Sequence, residues 1–254
     1  MGSVTMKKRR FCGAICEQIV YQAPDGLADP KHWDPEKKAR KERFKDAAAY
    51  AKFKTEIARR RHFRKFQANF HAGDLFSTLT FDDEWECTDF KEAKKVRNDW
   101  RRRIKRAWPE AVVFLYMGRG KSTHRIHFHM VSHGIPEQWL KDAWKYGGVK
   151  RIVKLRKHCW YDNKDMGQDY SGLANYLFNH WTPEQGGHRY MCTRNAAEPE
   201  DEAATVVRVR REYSELHPPR APKGYRLTKA ERNEYGFLYF RYAAEDEKER
   251  GGAA

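Results

Sequence analysis

Hydrophobic and polar positions alternate along several stretches in the middle of the chain. This is typical of β-strands, because successive strand residues point to opposite faces. Residues 76–83, FSTLTFDD, alternate apolar and hydroxyl-bearing side chains, whereas residues 112–117, VVFLYM, are apolar throughout. Residues 125–131, RIHFHMV, follow a glycine-containing loop, which predicts an antiparallel hairpin with the preceding strand. Residues 149–155, VKRIVKL, predict a further strand.

Two other stretches change to helical spacing. Apolar residues recur every three or four positions over residues 90–107, which predicts an amphipathic helix with a basic outer face. Residues 169–183 predict a later helix that a proline ends. Tyr176 and His180 lie four residues apart in it, so both side chains should project from one side.

The order of these elements, with a short helix after Pro136, is β-α-β-β-α-β and then a helix. This order predicts an α+β fold, a central antiparallel sheet of about five strands with helices packed on it. We divide the chain into a basic N-terminal extension (residues 1–70), a central domain (71–190), and an acidic hinge with a C-terminal tail (191–254). Within the extension, residues 36–66 predict one or two basic helices.

The charge of the chain is strongly positive. Its 254 residues include 51 Lys and Arg against 35 Asp and Glu, a net charge of +16. This favours a polyanionic partner, nucleic acid before an anionic membrane surface. No apolar run approaches the roughly 20 residues of a membrane span, and the start has too short an apolar stretch for a secretory signal. Five scattered cysteines form no disulfide framework, so we expect a reducing cytoplasm.

Basic residues at two places are candidates for binding phosphates. Arg59, Arg60 and Arg61 belong to the predicted basic helix and could follow a nucleic-acid backbone, although a solvated helix face is an equal alternative. Arg119 and Lys121 lie in the glycine-containing loop of the hairpin, which suits a phosphate as well as a plain turn.

A pair of histidines on the predicted strand 125–131 is the main candidate for chemistry. His127 and His129 are two residues apart, so their side chains should point to the same face. Two neutral imidazoles at that spacing could bind one divalent metal ion. A histidine pair alone is a weak signal, and the elements around it supply the context.

Three blocks, FSTLTF, RIHFHMV and LANYLFNH, stand in that order and together resemble the HUH endonuclease superfamily. The resemblance is to rolling-circle replication initiators of phages, plasmids and integrative elements, in the branch of filamentous-phage replication proteins, and covers about residues 70–190. It implies an HUH nuclease domain over residues 71–190 with a divalent metal, Mg²⁺ or Mn²⁺, on His127 and His129. It also implies that Tyr176 nicks single-stranded origin DNA, leaving a 5′-phosphotyrosine and a 3′-hydroxyl primer.

The sequence departs from this family at two positions. Relatives often carry an acidic metal ligand on the strand before the paired histidines, where this chain has only Tyr116, Met117 and Gly118. The third ligand therefore stays open among four candidates, of which we favour the aspartates: Asp82, Asp83, His124 and His133.

The second departure concerns the residues around the nucleophile. The usual lysine or second tyrosine after the nucleophile is missing. His180 follows Tyr176 by one helical turn instead and is a candidate base or phosphate contact. Tyr170 is a candidate second nucleophile.

Other functions remain open at this point. Within the superfamily the alternatives are a transposase or a relaxase. In another class, a non-catalytic nucleic-acid-binding protein would use His127 and His129 for packing and Tyr176 to stack on a base. As a replication initiator, the protein should act in the cytoplasm of a bacterial host with the host replication machinery as a candidate partner, and the sequence does not indicate its oligomeric state.

Overall fold

A computed structural model describes residues 3–24, 47–120, 123–207, 212–232 and 237–245. They divide into two compact units. We call residues 1–68, 158–169 and 198–254 the terminal unit, and residues 69–157 and 170–197 the central unit. The first part of the predicted basic helices, residues 36–46, lies outside the described residues, as does Lys121.

The helices and strands are numbered in chain order over both units. They are β1 (Ser3–Cys12), β2 (Ile15–Pro24), α1 (Ala47–Asn69), β3 (Leu75–Thr80), α2 (Phe90–Ala107), β4 (Val112–Arg119), β5 (Ile126–His133), α3 (Glu137–Ala143), β6 (Val149–Lys154), β7 (Trp160–Tyr161), β8 (Lys164–Asp165), α4 (Ser171–Phe178), β9 (Met191–Cys192), β10 (Glu200–Asp201), β11 (Thr205–Val206), β12 (Tyr225–Arg232) and β13 (Leu238–Ala244).

The central unit contains a five-stranded sheet in the order β6-β3-β5-β4-β9, and every neighbouring pair in it is antiparallel. The predicted α+β fold is therefore confirmed, as is the hairpin between β4 and β5. In that hairpin Gly118 lies opposite His127 and Tyr116 lies opposite His129. On the other side of β5, Thr80 and Thr78 of β3 face the same two positions. His129 therefore lies between Thr78 and Tyr116 in the middle of the sheet.

One face of this sheet packs on the helices α2 and α3. Trp100 of α2 is 1% exposed and stacks on Trp139, with its edge toward Trp144. Because side chains alternate across a strand, the residues between the core positions point to the opposite face, and His127 and His129 are among them. The sheet residues of the core are Leu75, Leu79, Val113, Leu115, Met117, Ile126, Phe128 and Met130.

Helix α2 confirms the amphipathic pattern of residues 90–107. It begins at Asp89, whose side chain accepts a hydrogen bond from the backbone N–H of Lys91. Helix α4 is shorter than the predicted 169–183, because it ends at Phe178 and a 3₁₀ turn follows over Pro183–Gln185. His180 therefore lies just beyond the helix, where the chain turns back toward the sheet.

The terminal unit combines residues from the predicted N-terminal extension and from the predicted C-terminal tail, together with residues 158–169. Its sheet has the order β10-β1-β2-β13-β12, with β11 also paired to β1. The predicted acidic hinge contributes β10 and β11, and Lys8 of β1 pairs with Asp201 of β10 at 3.0 Å between Nζ and Oδ2. The acidic segment thus lies against basic strand β1, which places opposite charges side by side. Strand β13 lies within the predicted C-terminal tail.

Lower pH is expected to destabilise the terminal unit through His62 on α1. Burial lowers the pKa of His62 to about 3, whereas an imidazole in an unfolded chain titrates near about 6.5. Between these values the unfolded state binds a proton that the folded state does not, so the free energy of unfolding falls as the pH falls from about 6.5 toward 3. His62→Leu should remove about one proton from this dependence, measured by urea unfolding at several pH values.

The matched control for that experiment is His188→Gln, since His188 is exposed. This variant should keep the pH dependence of the wild type. An unchanged dependence in His62→Leu would contradict the assignment to His62.

Candidate functional site

Three imidazoles converge on the sheet face opposite the main core of the central unit. His127 and His129 project from β5, and His180 reaches them from the turn after α4. The Nε2 atom of His129 lies 3.2 Å from that of His127 and 3.1 Å from that of His180. His129 is buried, and the other two rings are half-buried. The three residues form a group that could hold a metal ion.

A hydrogen bond on the far side of its ring determines which nitrogen of His180 carries the proton. The Nδ1 atom of His180 lies 3.2 Å from the backbone carbonyl oxygen of Tyr176, which can only accept, so this nitrogen is the donor. The Nδ1 atom of His129 lies 3.1 Å from the hydroxyl oxygen of Thr78, which can accept or donate, so both tautomers of His129 fit this contact. When His129 donates through Nδ1, its Nε2 lone pair faces that of His180, and a cation at that point would remove the repulsion.

The spacing of the nitrogens fits a bound metal. With metal–nitrogen bonds of about 2.1 Å, adjacent ligand nitrogens are separated by about 3.0 Å at right angles and about 3.4 Å at tetrahedral angles. Burial, with the neighbouring His180, lowers the pKa of His127. Burial also lowers the pKa of His129 to about 3, helped by the positive charge of Arg151. Both rings are therefore neutral at physiological pH, as metal ligation requires.

Gly118 makes room for this arrangement. A Cβ atom added there would lie 2.6 Å from Cδ2 of His180 and 2.8 Å from Nε2 of His127. The position opposite His127 therefore carries no side chain, and the ring of His180 fills the space. The resemblance led us to look for an acidic residue on β4. The structure instead places the imidazole of His180 there, from the turn after α4.

Tyr176 lies beside the histidine cluster. Its side chain is 49% exposed, and its hydroxyl oxygen is 3.4 Å from the Nε2 atom of His129. Its ring centroid lies 4.5 Å from that of His180, which the four-residue spacing predicted. Tyr170, the candidate second nucleophile, is buried, and its hydroxyl donates to the carbonyl oxygen of Arg156 at 2.9 Å. Of these two tyrosines, Tyr176 alone joins an exposed hydroxyl to the cluster.

The aspartates that we favoured as third ligands are not brought into the cluster. Asp82 accepts a hydrogen bond from the backbone N–H of Trp85 at 3.1 Å in the turn after β3. Asp83 is exposed and pairs with Arg125 at 2.6 Å. Strand β3 ends at Thr80, so the chain turns away before either carboxylate reaches the histidines. His124 is also exposed, in the loop between β4 and β5.

A second group of possible ligands lies at the other end of β5. The Nδ1 atom of His133 is 2.7 Å from Oδ1 of Asp74, whose Oδ2 accepts the backbone N–H of His71 at 2.7 Å. These residues also form a group that could hold a metal ion, but His71 and His133 are exposed. The hydrogen bonds already tie the turn before β3 to the end of β5.

The basic residues singled out in the sequence fall in different places. Arg119 is exposed, with its guanidinium over the ring of Phe90 and a hydrogen bond to the carbonyl oxygen of Thr88 at 3.0 Å. In the terminal unit, Arg59 pairs with Glu56, and Arg59, Arg60 and Arg61 all lie on α1. The structure therefore leaves both interpretations of this helix open, a phosphate-binding arm and a solvated face.

Sequence analysis missed two residues beside the cluster. Thr78 orients His129 through the hydrogen bond already described, and the FSTLTF pattern placed it on the correct face. Arg151 of β6 lies opposite Thr78, is exposed, and acts electrostatically on His129. Arg151 lies on β6, which is separated from β5 by β3. Local sequence patterns cannot predict this position, because it depends on how β6 pairs with β3.

The α+β fold with its five-stranded antiparallel sheet agrees with the sequence resemblance to replication-associated proteins. Comparison with protein families supports the same class, since residues 74–180 match the model for replication-associated protein ORF2/G2P. The matched segment contains His127, His129, Tyr176 and His180. Searches of curated proteins and of solved structures gave no match.

Among the described residues, no helix combines the length and the apolar character needed to cross a membrane.

Replacing Gly118 tests the geometry of the cluster directly. Gly118→Ala would bring a methyl group within 3 Å of the rings of His127 and His180, which must move apart. We expect the affinity for Mn²⁺ to fall by about 10- to 100-fold, as for other changes that disturb ligand orientation. Metal titration followed by calorimetry measures this loss.

A second glycine provides the matched control. An added Cβ at Gly172 on α4 would meet no atom within 4 Å. Gly172→Ala should keep the Mn²⁺ affinity and raise the free energy of unfolding by about 0.5–1 kcal/mol, because alanine loses less backbone entropy in a helix. Unchanged Mn²⁺ binding in Gly118→Ala would exclude the cluster as the metal site.

Proposed function

We propose that this protein is a rolling-circle replication initiator that nicks and rejoins single-stranded DNA through a tyrosine. The observation that carries the proposal is the convergence of three imidazole nitrogens next to the hydroxyl of Tyr176, whose side chain is half-exposed. The family match over residues 74–180 supports a role in replication. A packing role would not require three imidazoles to meet beside the hydroxyl of Tyr176, so we favour the nuclease over a non-catalytic binding protein.

In this proposal His127, His129 and His180 hold one divalent metal. A metal ion at a phosphodiester polarises the phosphoryl oxygen and stabilises the negative charge that accumulates in the transition state. His180 changes role relative to the sequence prediction of a base or phosphate contact, because its Nε2 atom faces the two paired histidines. The metal is Mg²⁺ or Mn²⁺ in the sequence prediction, and of these two ions Mg²⁺ suits three nitrogen ligands less, because it is the harder cation and prefers oxygen ligands.

Tyr176 is the proposed nucleophile. Its oxygen forms a bond to phosphorus, and the bond from phosphorus to the 3′ oxygen breaks. The phenolic proton passes to solvent, which reaches the half-exposed side chain, and the 3′ oxygen takes up a proton, so none is gained or lost overall. The products are a 5′-phosphotyrosine and a 3′-hydroxyl that a polymerase can extend. The ester conserves the bond energy, so a later 3′-hydroxyl can attack it and reseal the strand.

Positive charge on both sides of the sheet would hold the DNA strand. Arg151 of β6 shares the face of His129, with Thr78 of β3 between them. Arg119, over the ring of Phe90, and the outer face of α2 lie on the opposite side of the sheet. The basic residues of α2, most of them exposed, are Lys91, Lys94, Lys95, Arg97, Arg101, Arg102, Arg103, Lys105 and Arg106.

The test of this function is the covalent intermediate. The full chain is incubated with Mn²⁺ or Mg²⁺ and a set of single-stranded oligonucleotides tiled over the replication origin of the element that carries the gene. We expect a protein–DNA adduct that survives denaturation and disappears with a chelator. Sequencing the attached DNA gives the cleavage site. If no oligonucleotide forms an adduct with either metal, the protein is not a nuclease of this type.

A further inference from the structure

Strand β6 of the central unit is irregular where it pairs with β3. Thr78 of β3 lies opposite Arg151, whereas the next residue, Leu79, lies opposite Val149. A regular antiparallel pair would place Leu79 opposite Lys150, so Lys150 is an extra residue in β6. An insertion of this kind is a β-bulge, and bulges beside functional sites can change the direction in which a side chain points.

The bulge places two consecutive basic side chains on the face of the histidine cluster. Val149 and Ile152 both pack against the main core, although residues three positions apart in a regular strand point to opposite faces. Lys150 follows Val149 by regular alternation and therefore points away from the core. Arg151 shares the face of its partner Thr78, whose hydroxyl contacts His129. Both cations thus lie on the histidine face.

Polar side chains of β3 separate the two cations from the histidines. A Cβ atom added at Gly148 would lie 3.8 Å from Cε of Lys150 and 3.7 Å from Oγ1 of Thr80, so these two side chains lie over the same backbone position. With neighbouring strands about 4.8 Å apart, the backbones of Arg151 and His129 are separated by about 10 Å. Burial lowers the pKa of His129, and the positive charge of Arg151 adds to this effect. The cations are therefore placed beside the cluster and outside its ligand group.

The sheet has no negative charge that could neutralise this pair. None of its five strands contains Asp or Glu. Lys150 and Arg151 are exposed, and neither side chain makes an ion pair or a hydrogen bond within the described part of the chain. Arg119 and Lys154, the other Lys and Arg of the sheet, alternate in register with core residues and so point to the opposite face. The histidine face therefore has a local excess of positive charge that suits an anionic ligand.

Protection of the sheet edge is the alternative explanation for the bulge. Strand β6 is an edge strand, and such strands often carry lysines and bulges that prevent pairing with another chain. That role does not require both cations to point to the face of the histidines. A phosphate chain crossing this face does require it, because an arginine offers a planar fork to phosphate oxygens and a lysine adds a mobile point charge.

We propose that Lys150 and Arg151 bind the backbone phosphates next to the one that lies at the histidine cluster. This inference rests on the proposed function, because the ligand is the single strand that Tyr176 cuts. It adds the residues that hold that strand beside the cut, through contacts that do not depend on the bases. The pair positions the strand and takes no part in the bond-breaking step.

The experiment uses the double variant Lys150→Gln with Arg151→Gln in the full chain. Fluorescence anisotropy with a labelled oligothymidylate is measured over a series of salt concentrations, with a chelator present so that no strand is cut. Each phosphate contact on a single strand contributes about 0.7 to the slope of log affinity against log salt, so the slope should fall by about 1.4. The affinity should therefore fall by roughly 25-fold at about 0.1 M salt and approach that of the wild type near about 1 M.

Lys154→Gln is the matched control, because it removes a positive charge from the same strand on the opposite face. It should keep the affinity and the salt slope of the wild type. Unchanged binding in the double variant would overturn the proposal and leave edge protection as the role of the bulge. An equal loss in Lys154→Gln would also overturn it, since the effect would then follow net charge rather than position. All three side chains are exposed, so the melting temperature should not change.

Adduct formation separates this inference from the proposed nuclease. With Mn²⁺, the oligonucleotide concentration at half-maximal rate should rise in the double variant about as much as the affinity falls, while the maximal rate is retained. A lower maximal rate would overturn the positioning role, because it would place the pair in the transition state. If the wild type forms no adduct, the nuclease proposal alone fails, since the salt slopes are measured without cleavage.

Discussion

Tyr176→Phe should abolish the covalent protein–DNA adduct. The variant loses only the hydroxyl oxygen that lies 3.4 Å from the Nε2 atom of His129, and phenylalanine has no atom that can attack phosphorus. We expect adduct formation to fall by a factor of a thousand or more, on the order of the losses seen when an enzyme nucleophile is removed. Affinities for Mn²⁺ and for DNA should stay near those of the wild type. Denaturing gel electrophoresis with a labelled oligonucleotide measures the adduct.

Tyr170→Phe is the matched control, because Tyr170 lies six residues earlier and immediately precedes α4. Its hydroxyl donates a hydrogen bond to the carbonyl oxygen of Arg156. This variant should lose about 1 kcal/mol of stability from that hydrogen bond and keep the adduct. If Tyr176→Phe still forms the adduct while Tyr170→Phe does not, the assignment of the nucleophile is wrong, although the class of reaction would stand.

His129→Ala should have the second large effect, the loss of metal binding and of nicking together. His129 is the central member of the cluster, since its Nε2 atom lies within 3.2 Å of both other histidines. Removing it leaves two ligands that no longer enclose a metal position. We expect nicking to fall by roughly a thousandfold or more, because metal stabilisation of the transition state is worth several kcal/mol. Measured without metal, DNA affinity should change by less than about twofold, because basic side chains elsewhere supply it.

His133→Ala provides the comparison, since it removes an imidazole from the same strand and the same face. His133 is exposed and bonded to Asp74 at the other end of β5. This variant should bind Mn²⁺ at the histidine cluster and nick DNA as the wild type does. If His133→Ala lost nicking and His129→Ala kept it, the metal would lie with His133 and Asp74, and our proposal for the histidine cluster would be wrong.

Local patterns were enough to predict most of the central unit. The hairpin between β4 and β5 and the helix over residues 90–107 depend on residues close in sequence, whose alternation or helical spacing is set by burial of one face. The α+β fold followed from the order of these elements alone.

The terminal unit could not be predicted in this way. Strand β1, SVTMKKRRFC, carries four consecutive basic side chains and does not show a clear alternation of apolar and polar residues. Its partners are β2 and the distant strands β10 and β11, while β13 pairs with β2. Such pairings depend on contacts between residues about 200 positions apart, which no window of sequence contains.

The candidate site was predicted in part for the same reason. The paired histidines and Tyr176 follow from local spacing, and they remain predictions as functional residues. The position of His180 against His127 depends on how the end of α4 meets the sheet, so the aspartates looked more plausible as ligands. A signal was present in Gly118, because a glycine inside a buried strand often marks the close approach of another group.

Gly118 has no side chain, and the ring of His180 occupies the space where a carboxylate ligand was expected. This exchange changes the charge that a metal would bring to DNA. Three imidazoles are neutral, so the ion would keep its full double positive charge, whereas a carboxylate ligand would cancel half of it. A phosphodiester would then experience a stronger Lewis acid, while the protein would hold the ion less firmly when no DNA is bound. An anionic phosphate oxygen of the DNA would offset part of the metal's positive charge and occupy one of its coordination positions. Metal and DNA should therefore bind cooperatively at this site.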